Sequence, residues 1–249
     1  MNFERFSGGN SLLHRLDTRV KLIIAMILTL VIALSQDMRT AAAGLVISLL
    51  LVSLGRLGFK PVLLRLLVVN SFTVFLWCTL PFTYPGIPIM TIGPLSASAE
   101  GLHIVSLITL KTNTIVLLCI SLLATSPVSD LGHAMTKLRM PVKLCLLLLF
   151  SYRYIFVIHQ EFSRLNRAAK LRCFSPKTNL HTYRTVGYMF GMTLIKSWHR
   201  GERVAQAMML RGFNGRFYTL NDSTLTMTDM LFAVTMVVAA LVLGTIEFL

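Results

Sequence analysis

Two arginines occupy nearly the same setting twice. Leu171-Arg172-Cys173 and Leu210-Arg211-Gly212 each close an apolar-periodic run, with Ala168-Ala169 and Ala207-Met208 one turn earlier. A guanidinium at a helix end presents a rigid fork of donors to carboxylates or carbonyls of another molecule. Small residues one turn back lie on the same face and permit close approach. Seen singly, either arginine could do no more than complement a helix dipole, with Gly212 a plain C-terminal cap. The repetition within one basic stretch points to a docking surface, without saying what docks.

Other chemistry is sparse. No GxxxxGK[ST] phosphate loop occurs, so the chain is not expected to be an ATPase. The six histidines (14, 103, 133, 159, 181 and 199) form no close pair. The four cysteines (Cys78, Cys119, Cys145 and Cys173) form no CxxC. Neither a zinc site nor a disulfide framework is indicated, and no metal ligands are assigned. Well inside the apolar runs, away from their ends, only Lys111 clearly stands as an ionisable residue, and Asn70 and Asn113 read as hydrogen-bonding glue between helices. A membrane enzyme would place acid–base pairs or an activated nucleophile there. A stand-alone carrier would show inverted repeats or broken-helix pairs. Neither is found.

The elements that must carry the two arginines follow from hydropathy. Hydrophobic residues make up 55% of the 249 and charged residues 14%, against about 25% charged in soluble domains. Four apolar runs, 20–36, 41–55, 62–80 and 102–125, precede a basic section, and a fifth, 229–247, closes the chain. Each approaches the ~20 residues that a bilayer crossing needs. The segment between the third and fourth holds four prolines and three glycines, which predicts a break there. Nothing before the first run has the pattern of a removable signal peptide.

Lys and Arg alternate with the runs. Four precede or open the first, one follows it, three follow the second, none lies in the Pro-rich loop, and fifteen lie in 126–227. This high–low–high–zero–high pattern is positive-inside bias, with the N-terminus cytoplasmic and the C-terminus outside. It accounts for the net charge of +14 without nucleic acid as a partner. The expected organisation is all-α and polytopic. A four-span part covers 1–125, cytoplasmic or interfacial coupling helices 126–227, and a final transmembrane helix 228–249. Within the middle part we expect a short amphipathic helix over 126–141, a long one over about 142–172 and another over about 179–211. The apolar front half of the second is read as buried or interfacial, because Arg153 sits at its centre.

The order of these features resembles a known family. Asp17-Thr18-Arg19-Val20-Lys21-Leu22 resembles the D-P-R-x-K-L segment before the first span in transmembrane (T) components of energy-coupling factor transporters. Ser151-Tyr152-Arg153-Tyr154-Ile155-Phe156-Val157, with Glu161 beyond it, is similar to the [SM]YRY[IL]FV…E segment of their CbiQ/NikQ branch, which handles cobalt or nickel. The two arginine ends resemble that family's paired X-Arg-X motifs, commonly Ala-Arg-Gly. Here Leu stands in place of Ala at both, Cys in place of Gly at the first, and Thr18 in place of Pro.

The resemblance implies that Leu171, Arg172, Cys173, Leu210, Arg211 and Gly212 contact two ABC-type ATPase subunits. It implies that Asp17, Arg19, Lys21, Tyr152, Arg153, Tyr154 and Glu161 are structural. A separate membrane-embedded substrate-binding component, such as a metal-binding permease, would be the second partner, in a bacterial or archaeal plasma membrane. The chain itself would bind no cofactor, and ATP would be used by the partner subunits. A nickel or vitamin cargo, and less so a stand-alone carrier, are the other readings.

Overall fold

A computed structural model describes residues 9, 11–86, 88–92, 95–215 and 226–248. Arg5, Arg216 and Asp222, counted above among the charged residues, lie outside them. The chain is all-α apart from one short hairpin. A single turn, α1 (Leu12–Arg15), leads into α2 (Thr18–Leu34), α3 (Met38–Leu54) and α4 (Phe59–Thr83). The hairpin β1 (Pro88–Ile92) and β2 (Leu95–Ser98) follows, then α5 (Ala99–Leu118), which runs on into a π-helical turn, Cys119–Leu123. The remaining helices are α6 (Val128–Lys137), α7 (Val142–Leu171), α8 (Leu180–Leu210) and α9 (Met227–Phe248).

The expected break in the Pro-rich segment falls later than the first proline. Pro81 lies inside α4, which ends at Thr83. The remainder includes an antiparallel pair in which Ile92 opposes Leu95 and Thr91 opposes Ser96. Periodicity gave no sign of it, since the strands are four and five residues long.

Two compact units make up the chain: Met1–Ala134 with Ser223–Leu249, and Met135–Asp222. In the first unit the helix directions can be read from side-chain contacts. Leu13, in the turn that leads into α2, packs beside Gly55 at the end of α3, and Ile32 near the end of α2 packs beside Gly44, so α2 and α3 are antiparallel. Ser106 meets Met38, and Thr114 meets Gly44, so α5 runs with α3. Asn70 pairs with Asn113, and Trp77 with Thr109, so α4 and α5 are antiparallel. A Cβ on Gly44 would stand 3.2–3.3 Å from Ile32 and Thr114. Its bare backbone is what lets α2, α3 and α5 close on one another. The core they share with α9 is aliphatic: Ile24, Leu28, Ile32, Leu51, Leu118, Leu122 and Leu243.

The last helix fixes the parity of crossings. Asp229, at the start of α9, accepts a hydrogen bond from the Asp17 N–H at the start of α2 (2.9 Å). Glu247, at the far end of α9, accepts one from the Gln36 N–H just past the end of α2. The two helices are therefore parallel and in step. Between α2 and α9 the chain must cross an odd number of times more to return to that direction, and α3, α4 and α5 supply three. By length and composition α4, α5 with its π turn, α7 and α9 could each cross a membrane. At 17 residues, α2 and α3 are near the lower limit of about 17. Counting α7 as a lone extra span would put α9 antiparallel to α2, which it is not. The five helices α2, α3, α4, α5 and α9 belong to one bundle, and α4 carries an exposed apolar face of Leu63, Leu64, Leu67, Phe72 and Phe75, suited to lipid.

The second unit is built on α7 and α8. Phe162 and Phe190 stack with ring centres 5.0 Å apart. The Lys196 ammonium on α8 reaches the Glu161 carboxylate on α7 at 2.6 Å.

Candidate functional site

The two arginine ends have one backbone geometry. Arg172 is the C-cap of α7, at φ −90° and ψ 24°, and Arg211 that of α8, at φ −89° and ψ 10°. The next residue at each end enters the left-handed region, Cys173 at φ 62° and Gly212 at φ 76°. Cys173 N–H donates to the Lys170 carbonyl (3.0 Å) and Phe174 N–H to that of Ala169 (3.1 Å). Gly212 N–H donates to the Met209 carbonyl (3.0 Å) and Phe213 N–H to that of Met208 (3.0 Å). Each end is thus a complete Schellman motif, which satisfies helix carbonyls that would otherwise be orphaned. Gly212 is the left-handed residue that closes the cap after Arg211, and Cys173 is its counterpart after Arg172.

What the cap leaves free is the arginine and the leucine before it. Leu171 is 87% and Leu210 89% exposed, and both arginines are exposed. An apolar side chain held that far into solvent beside a guanidinium is not explained by dipole complementation. Phe174 and Phe213, the residues after the left-handed turn, are only half-exposed. Phe174 faces the His181 ring at 6.4 Å. The repeated unit is therefore four residues long, Leu-Arg-X-Phe. The phenylalanines were visible in the sequence, and the left-handed step that makes them part of the cap was not.

Glu161 is the hub of the unit. Besides Lys196, it has the guanidinium groups of Arg164 and Arg200 at 3.9 Å. The Lys196 hydrogen bond holds its carboxyl below the usual carboxylate range. One carboxylate thereby joins α7 to α8 beyond the apolar front half of α7, which ends at Ile158. In that front half Tyr152 meets Phe156 edge-on at 5.6 Å, Phe150 stacks on Tyr154 at 6.1 Å, and Arg153 lies over the Tyr154 ring at 6.0 Å. These are contacts along one helix, and they stiffen a surface that carries an exposed arginine.

Asp17, Arg19 and Lys21 sit in the other unit. Asp17 is the N-cap of α2, accepting from Arg19 N–H at 2.9 Å, and the Arg19 guanidinium lies 3.8 Å from its second oxygen. Lys21 is buried and donates to Ser126 Oγ at 3.0 Å. Ser126 and Asp229, which complete this cluster, are far away in sequence, and nothing local links either to Asp17 or Lys21. Among the described residues no group of three or more His, Cys, Asp or Glu is arranged to hold a metal ion.

Residues 9–220 match the family model CbiQ, described as cobalt transport protein. The chain belongs to that family. A relative from Leuconostoc gelidum subsp. gasicomitatum, the energy-coupling factor transporter transmembrane protein EcfT, is 28% identical over 84% of this chain and 82% of its own. The EcfT of Bacillus subtilis is 27% identical over 85% and 84%. The nickel permease LarQ of Lactiplantibacillus plantarum is 31% identical over 37% of this chain and 33% of its own. This CbiQ-family protein is a transmembrane component of an energy-coupling factor transporter. The matched range contains both arginine ends, the Glu161 hub and the α2 cap.

Proposed function

We propose that this chain is the coupling subunit of an ATP-driven importer. Arg172 and Arg211, each with its neighbouring leucine, seat the ends of α7 and α8 on two ABC-type ATPase subunits. Movement of those subunits, driven by ATP that they alone bind, passes along the two helices to a separate substrate-binding membrane protein. The observation that carries this reading is the identical capping of two helices that leaves Leu-Arg exposed at both ends. A pair of equal ends fits a pair of equal partners. The chain itself has no resident cofactor in this scheme. It sits in a bacterial or archaeal plasma membrane with the basic side, and so the N-terminus, in the cytoplasm, and its C-terminus outside.

The cargo we propose is the cobalt ion, on the family's description. Nickel is the second reading, carried by the name of the LarQ relative. The substrate-binding partner selects between them, because this chain gathers no metal ligands among its described residues. The double substitution Arg172→Glu and Arg211→Glu tests the docking. Loss of ATPase co-purification and of cobalt uptake, with the protein still in the membrane, is the expected result. Normal uptake by that variant sinks the reading.

A further inference from the structure

The polypeptide passes between its two units twice, leaving the first after Ala134 and returning at Ser223. Both passages are fastened within the first unit to the same turn of α2. On the outbound side, Ser126 accepts the hydrogen bond of the Lys21 ammonium at 3.0 Å. On the return side, the Asp229 carboxylate takes the Asp17 N–H on one oxygen at 2.9 Å. Its other oxygen takes the Thr226 N–H at 2.8 Å and the Thr226 hydroxyl at 2.6 Å. Lys21 is 1% exposed, Asp229 2% and Ser126 5%. The carboxylates of Asp130, Asp229 and Asp17 all attract the Lys21 ammonium. A cationic side chain that deeply buried is kept only where partners are fixed around it.

The aliphatic core and the Glu247 contact also join α2 to α9. The cluster adds a common attachment for the two strands that lead to residues 135–222. We infer that Lys21 and Asp229 are positioning residues of the coupling step, making the start of α2 the anchor through which displacement of the coupling helices reaches the membrane bundle. The inference rests on the coupling role proposed above. Loosening the anchor lets the coupling section move under ATP turnover without carrying α2 and α9 with it.

The test uses the full complex in vesicles, with ATP hydrolysis and uptake measured together for whichever cation the wild-type complex carries, cobalt first and nickel next. Lys21→Met keeps the length of the side chain and removes its charge. Co-purification with the ATPases and hydrolysis stay within about twofold, while uptake per ATP falls about tenfold, the scale of one charged hydrogen bond. Lys21→Arg restores most of the ratio. Ser126→Ala, which removes only a hydroxyl, lowers it about threefold, and this variant decides the matter if Lys21→Met does not insert. An unchanged ratio overturns the inference. So does a parallel fall in co-purification, hydrolysis and uptake that Lys21→Arg does not rescue, since that is what a merely structural contact gives. Failure of the docking reading shows separately, as intact complexes in the Arg172/Arg211 variant.

Discussion

The two units handle charge in opposite ways. In the membrane unit the decisive ionisable groups are paired: buried Asp229 holds the start of α2, half-buried Glu247 its end, and buried Lys21 reaches Ser126. In the basic unit charges are many and mostly exposed, and among the described residues Glu161 gathers three cations about itself. Burial makes each membrane-unit contact costly to break, so it fixes a scaffold. Exposure makes each basic-unit charge cheap to lose for folding and available to another molecule. Substitutions should therefore separate, with loss of assembly in the basic unit and loss of stability or of coupling in the membrane unit.

The largest effect is expected at the helix ends. Because Arg172 and Arg211 share one cap geometry, the single Glu variants should weaken ATPase binding by similar factors, each about tenfold or more, and the double variant by far more. Pull-down at increasing ionic strength measures this. A strong effect at one end and none at the other would break the equivalence of the two ends. In the membrane unit, Asp229→Ala strands three donors and should cost about 2–3 kcal/mol, seen as a lower Tm in detergent. The corresponding removal of Arg172 should leave Tm unchanged.

The two caps differ in one respect, which gives a smaller test. Cys173 adopts φ 62° with a side chain, where Gly212 adopts φ 76° without one. The left-handed region disfavours a β-carbon by about 1 kcal/mol. Cys173→Gly should therefore stabilise the end of α7 by about that amount, and Gly212→Ala should destabilise the end of α8 by as much. Hydrogen exchange at the Phe174 and Phe213 amides reads the two caps directly. Equal protection in all variants would show that strain at residue 173 is relieved by other means.

Much of this was legible in the sequence because it is local. The long helices over 142–172 and 179–211 were expected within one residue at each end, since apolar periodicity, Pro141 and Gly212 mark their limits. Pairing across distance was not legible. Asp229 reads as an ordinary polar start to a span, and nothing near it names Asp17 as its partner. Glu161 was singled out only through resemblance, whereas its link to Lys196 depends on how α7 and α8 cross. Length and hydropathy alone would also promote α7 to a span. The parallel run of α2 and α9 argues against α7 as a lone extra span, and a sequence does not display which helices lie side by side.

The smallest effect probes the glue between α4 and α5. Asn70 and Asn113 exchange amide hydrogen bonds at 3.0 and 3.2 Å, and Asn113 also donates to the Thr109 carbonyl at 2.9 Å. Such a pair in lipid couples two helices by only about 0.6 kcal/mol on average, because the separated helices also find partners for their amides. A double-mutant cycle with Asn70→Ala and Asn113→Ala should give a coupling of about that size, and transport should persist in all three variants. A coupling several times larger would mean that this pair shares the role of the Asp229 contact. The contrast drawn above would then hold for neutral amides as well as for charges. A coupling near zero would leave α4 and α5 held by the Trp77–Thr109 contact and by packing alone.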